Sequence, residues 1–197
     1  MTKSSLSRLA VCFSLYTGAI SANVVGATVV SASDADNYII RHSVSASVPV
    51  SAAVEVPVSA SMVYLSGKLP PIQDHDQPLD SPLAYGGDTQ NQTVAVLREI
   101  EKTLVNIGLE LGDVVKMQVF LVGDPALDNK MDLEGFANGY AQFFGTKAQP
   151  HLPARTTLQV ASLANRGMRV EIDITAVRKN PSVIVSEKLE TTPSDCR

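Results

Sequence analysis

The 197-residue chain has no tryptophan, two cysteines and only 5% aromatic residues. Cys12 and Cys196 stand near opposite ends, a spacing that assembles neither a disulfide framework nor a cysteine-based zinc site. Basic charge is also scarce: 16 Lys+Arg against 20 Asp+Glu leave a net charge of −4, and no Lys/Arg run or basic-aromatic stripe occurs. Broad electrostatic binding of nucleic acid is therefore disfavoured. Gly86-Gly87 lacks the Lys-Ser/Thr signature of a phosphate loop. His42, His75 and His151 show no spacing that would build a Ser-His-Asp arrangement. What is present, 45% hydrophobic residues over this length, suits one globular domain with extensions.

The N-terminus has its own pattern. Lys3 and Arg8 precede an uncharged apolar stretch from Leu9 to Ile20, and small residues follow up to Val25-Gly26-Ala27. This is the layout of a secretory signal peptide over residues 1–27, with cleavage expected after Ala27 and Ser21 as the alternative. The stretch is well short of the roughly 20 residues of a spanning helix, so no stable membrane insertion is expected after processing. The expected location is the periplasm or outside the cell. Loss of Lys3 and Arg8, with no acid, takes the net charge from −4 to −6.

Residues 28–36 and 180–197 lack any sustained period and read as flexible extensions of a domain spanning 37–179. Within that domain, Val, Ser and Ala nearly alternate from Ser43 to Tyr64, predicting two or three short strands interrupted by Pro49 and Pro57 and closed by Ser66-Gly67. A proline-rich loop from Lys68 to Gly87 carries Asp74, His75, Asp76 and Asp80. With no partner ligand at fixed spacing it reads as a solvated loop, and no metal is expected.

Asp88 or Thr89 caps a helix in which Val94, Leu97, Ile100, Leu104 and Ile107 recur before Gly108. Val114 to Val122 is apolar nearly throughout and reads as a buried strand. Leu133, Phe136, Tyr140 and Phe143 or Phe144 predict a second amphipathic helix whose aromatic stripe belongs to the core. Thr156–Ala161 and Met168–Val177 are the last strands. The order β-β-α-β-α-β-β, with hairpin-like pairs at both ends, implies an α+β fold: a mixed sheet with two helices on one face. Val and Ile on the uncovered face would then favour self-association.

The densest candidate for chemistry is Pro150-His151-Leu152-Pro153-Ala154-Arg155, a rigid turn that delivers an arginine to the start of a strand. A guanidinium fork matches a carboxylate bidentately, so Arg155 is a candidate anion clamp; a salt bridge to Glu171 or Asp173 is the structural alternative. Glu171, on an alternating strand, is a candidate to polarise a water if partly buried, and a solvated sheet face is its competing explanation.

Several blocks in order make the stretch from Met62 to Arg178 recognisable: Ser66-Gly67 with Leu69-Pro70, Gly108-Leu109, Gly112-Asp113-Val114-Val115-Lys116 into Val119-Phe120-Leu121, Tyr140 with Phe143-Phe144, and Pro153-Ala154-Arg155 followed by Val170-Glu171-Ile172. The chain resembles the RidA (YjgF-like) family of imine and enamine deaminases. The resemblance implies a chorismate-mutase-like fold, a homotrimer closing its sheets into a central barrel, and sites in clefts between subunits. It implies that Arg155 grips the substrate carboxylate, that Glu171 holds or polarises the attacking water, and that Ser66, Gly67 and the backbone near Thr157 line the pocket. The implied reaction is hydrolysis of a C=N bond without cofactor or metal.

The departures from the family pattern bear on substrate range. The Tyr common before the first long strand is absent from Val54-Glu55-Val56-Pro57-Val58, and Thr157 stands where Cys is common. Phe136-Ala137 replaces a Met-Asn pair, with Asn138 one residue on, and the Lys68–Gly87 loop is longer. Two functions are carried forward: a hydrolase of 2-imino or enamine carboxylates, and a non-catalytic binding module for small 2-oxo or related acids. Ribonuclease activity finds neither a basic groove nor an acid-base His pair.

Overall fold

Alternating Val, Ser and Ala cannot form a helix with one apolar stripe, and they pair instead as strands. In the computed structural model, which describes residues 38–45 and 48–179, β1 (Ile40–Ser45) and β2 (Val48–Glu55) form an antiparallel ribbon, and β3 (Ser61–Lys68) begins the main sheet. Pro49 sits near the start of β2, and Pro57 lies between β2 and β3. The expected signal peptide (1–27), the extensions 28–36 and 180–197, Cys12 and Cys196 lie outside the described residues.

Helix α1 (Thr89–Asn106) is capped by the Asp88 carboxylate, which accepts from the Asn91 N–H at 2.7 Å. Its end is set by Gly108, whose left-handed backbone (φ 71°) suits glycine. The buried face differs slightly from the periodicity read above. Gln92, Thr93, Val96, Leu97, Ile100 and Leu104 face the core, whereas Val94 is half-buried and Ile107, already past the last turn, is exposed. Gln92 is buried because its amide is fully used: Nε2 donates to the Gly87 and Gly167 carbonyls and Oε1 accepts from the Arg169 N–H.

Strand β4 (Val114–Val122) follows, then α2 (Leu133–Tyr140), β5 (Ala154–Val160) and β6 (Val170–Arg178). The main sheet has the order β3-β6-β4-β5, with β4 and β5 parallel and the other pairs antiparallel. This makes the predicted mixed sheet and corrects one detail. The last two strands are not a hairpin: β5 pairs with β4 across the α2 crossover, and β6 inserts between β3 and β4. Two apolar strands that need helix cover take the central places, while β5, with Gln159 and exposed Leu158, tolerates an edge.

The core lies between the sheet and the two helices. Met117, Val119 and Leu121 from β4 and Val170, Ile172, Ile174 and Ala176 from β6 meet Val96, Leu97, Ile100 and Leu104 from α1 and Phe136, Tyr140 and Phe144 from the α2 region. Close packing of the helices depends on Gly139, where a Cβ would collide with Thr93 and the Gln90 carbonyl of α1. Leu133, expected in the apolar stripe, is half exposed, and the helix stops at Tyr140.

The expectation of Val and Ile on the uncovered face holds in part: Val170, Ile172 and Ile174 of β6 turn towards the helices, and the opposite face carries Val122, Val160 and Val177 with Met62, Tyr64, Phe120 and Leu158 among the polar Lys116, Gln118, Thr156, Glu171, Asp173 and Thr175. Helix cover takes the branched aliphatics first, because they have no polar atom to satisfy.

Candidate active site

The turn before Arg155 is held from several sides. Within it, Gln149 Oε1 accepts from the His151 N–H at 2.8 Å, and Gln149 Nε2 donates to the His151 carbonyl. From the β1–β2 ribbon, Ser51 donates from Oγ to the Leu152 carbonyl at 2.6 Å and from its backbone N–H to the Pro153 carbonyl at 3.0 Å. Arg41 donates to the same Leu152 carbonyl and, through one Nη, to the carbonyls of Gly112 and Val114. The ribbon thus ties the starts of β4 and β5 together. Burial lowers the pKa of Arg41, a shift that nearby Asp113 opposes.

Strand β5 carries Arg155 in register with Met117, a residue with no exposed surface on the core face of β4. In a parallel pair, register partners share a face, so the Arg155 side chain points towards the helices. There its guanidinium carbon lies 4.4 Å from the Tyr140 ring centroid and 5.0 Å from that of Phe136. The two rings are one helical turn apart, and Tyr140 also stacks on Phe144 at 4.9 Å with the planes nearly parallel. Arg155 Nη1 and Tyr140 Oη are both buried without a hydrogen-bond partner. Burial lowers the Arg155 pKa, opposed by Tyr140, and pushes the Tyr140 hydroxyl up to about 12, opposed by Arg155.

The salt-bridge alternative for Arg155 is not what the structure contains. Among the described residues the charged pairs are His42–Glu55, Lys102–Glu99 and Arg169–Asp124, and none involves Arg155. Glu171 and Asp173 are in register with Phe120 and Gln118 and so face the opposite, helix-free side.

On that side Glu171 is half-buried and lies against Gly67, where a Cβ would collide with its carboxylate. Ser66 and Gly67 occupy a bulge: β3 takes three steps from Leu65 to Lys68 while β6 takes two, from Ile174 to Ile172. Thus Ser66, Gly67 and Glu171 form one group, and Arg155 with Thr157, two residues on and on the same face, forms another. One chain does not bring the two groups together. Two grooves, of about 530 and 650 Å³, lie beside Gln142 and contain neither group.

The remaining histidines stay apart. His42 Nε2 meets Glu55 at 2.6 Å on the ribbon, and His151 is exposed on its turn. Asp74, His75 and Asp76 are exposed, and among the described residues no three His, Cys, Asp or Glu side chains gather as a metal site would require. Arg41, Ser51 and the stacking role of Tyr140 were not singled out from the sequence. Only the aromatic residues at 136 and 140 left a signal, and their spacing fits a core stripe equally well.

Comparison with known proteins agrees with this geometry. The family model described as endoribonuclease L-PSP matches residues 40–178. The Escherichia coli K12 protein TdcF, named as a reactive intermediate deaminase, is 34% identical over 121 residues, covering 60% of this chain and 80% of its own. A RutC family protein from the leuC 5' region of Leuconostoc mesenteroides subsp. cremoris is 29% identical over 118 residues, covering 59% and 79%. The crystal structure of the Rid family protein YyfB from Yersinia pestis shares the fold, with a TM-score of 0.52 at 22% identity over 71% of this chain and 96% of that one. The chain belongs to the endoribonuclease L-PSP family, that of the YjgF/RidA proteins.

Proposed function

We propose that this protein hydrolyses 2-imino and enamine carboxylates to 2-oxo acids and ammonia. The observation that carries the reading is Arg155, a guanidinium held on two aromatic rings, with no carboxylate partner among the described residues, in a chain homologous to TdcF. A carboxylate is the anion whose geometry fits such a fork.

In the reaction, the substrate carboxylate binds Arg155, and Thr157, Ser66 and Gly67 line the pocket. Glu171 accepts a proton from water as the water oxygen bonds to the imine carbon. The same proton passes to nitrogen, giving a carbinolamine; its hydroxyl proton then passes, through Glu171, to the amino nitrogen as the C–N bond breaks, ammonia leaves and the carbonyl forms. An imine is already electrophilic, so orientation of one water and one carboxylate suffices, without cofactor or metal. The separation of the two residue groups within one chain supports a site shared by two copies, Arg155 and Thr157 from one and Ser66, Gly67 and Glu171 from its neighbour, in a homotrimer. The signal peptide expected over residues 1–27 supports an envelope or extracellular source of imines for this activity.

The test is to generate 2-imino acids in situ with an amino-acid oxidase, trap them with semicarbazide, and add residues 28–197 or their Arg155→Ala variant. The reading expects the wild type alone to lower trapping of several imino acids. No effect on any of them replaces it with the second function, a non-catalytic binder of small 2-oxo acids, which the missing pocket Tyr near Val56 favours.

A further inference from the structure

Two buried polar atoms without partners, Arg155 Nη1 and Tyr140 Oη, belong to side chains already in contact. Each alone would cost stability, since a buried donor or acceptor that has lost water and found nothing is unfavourable. The two are chemically matched: a guanidinium can only donate, whereas a phenol oxygen accepts as well as donates. The Tyr140 ring is packed against Phe144 and Phe136, so its hydroxyl has little freedom to seek another partner.

We infer that Tyr140 is a positioning residue for Arg155: its ring supports the plane of the guanidinium and its hydroxyl is the acceptor that Nη1 turns to when substrate binds, so that the Nε and Nη2 edge is presented to a substrate carboxylate. This rests on the reading of Arg155 as the carboxylate clamp. It goes beyond that reading by assigning a role to a residue that the sequence pattern places simply in the core. Orientation is the physical gain. A free arginine side chain loses much rotamer entropy on binding, and one whose plane is already supported loses less. The direction of the Tyr140 titration agrees, because the hydroxyl stays neutral over the working range.

Tyr140→Phe removes the hydroxyl and keeps the ring, so the fold and the stack survive. The expected result is a rise in KM for imino acids of roughly tenfold, the scale of one charge-assisted hydrogen bond, with a smaller change in kcat. The same loss is expected in the affinity for 2-oxobutanoate, measured by calorimetry. In an Arg155→Lys background the substitution should change neither, because the effect passes through the guanidinium. A readout independent of turnover is the Arg155 side-chain NMR spectrum with 2-oxobutanoate bound, in which separate Nη resonances in the wild type should merge in Tyr140→Phe.

Unchanged KM, 2-oxobutanoate affinity and Nη resonances in Tyr140→Phe overturn the inference and leave the deaminase reading intact. An effect of equal size in the Arg155→Lys background also overturns it, since Tyr140 would then act on the fold at large. A wild type without imine hydrolysis but with merged resonances and weaker 2-oxobutanoate binding in Tyr140→Phe sinks the deaminase reading and upholds the positioning role.

Discussion

Arg155 and Glu171 stand on opposite faces of one sheet. Arg155 is level with Met117, which points into the core, and Glu171 with Phe120, three residues further along β4 and on the other side. A site needing both must therefore draw them from two copies. Mixed refolding of the inactive variants Arg155→Ala and Glu171→Gln should restore activity, whereas either variant alone should have none. Random assembly leaves about a quarter of such shared sites with both native residues, and turnover per site should approach that share of the wild-type value. Absence of any recovery in verified mixed oligomers would place the site within one chain.

Gly67→Ala should separate activity from stability. The added methyl group meets the end of the Glu171 side chain, which can swing away, and the Gly67 backbone is not in the left-handed region. Thermal unfolding should shift by no more than a few degrees, as for a surface change of about 0.5 kcal/mol. Turnover should fall at least about tenfold if Glu171 activates the water. A Tm and rate both near wild type would remove Glu171 from the chemistry.

Arg41→Met keeps much of the side-chain volume and deletes three hydrogen bonds to carbonyls of Leu152, Gly112 and Val114. Leaving those acceptors short of a cationic donor should cost about 2 to 3 kcal/mol in urea unfolding. Hydrogen exchange should accelerate first in β1 and β2, which this residue anchors to the sheet. Uniform acceleration across the whole domain would show instead that the ribbon and sheet unfold together.

The alkaline limb of stability should report Tyr140. Its folded pKa, about 12, lies above the unfolded value near 10, so the folded chain retains a proton that the unfolded chain gives up. The stabilisation is complete below about pH 10 and is lost as pH rises towards 12, on the order of 2 kcal/mol in all. Arg155, whose pKa is lowered by burial, acts in the opposite sense. Denaturant titrations between pH 9 and 12 should show a steeper fall for the wild type than for Tyr140→Phe; identical slopes would contradict the buried-hydroxyl assignment.

The amino-acid sequence by itself determined the two helices, the strand between them and the two strands that follow, because each rests on local chemistry, whereas the pair of strands expected before α1 is three, β1, β2 and β3. Asp88 caps α1 and Gly108 ends it; Val114 to Val122 coincides with β4 to the residue. It also carried the family, through ordered blocks that end in Pro153-Ala154-Arg155 and Val170-Glu171-Ile172. Tertiary structure alone decided which strands pair, which face each side chain takes and what Arg155 rests on. The alternation of β6 reads the same with Ile172 inward or outward until the helices claim one side. Nothing in the spacing of Tyr140 and Arg155 joins them: their contact exists because β5 runs parallel to β4 beneath α2, a pairing set by the packing of distant segments. The separation of Arg155 from Glu171 has the same origin, since side chains alternate at every residue and register, which no local pattern encodes, assigns their faces.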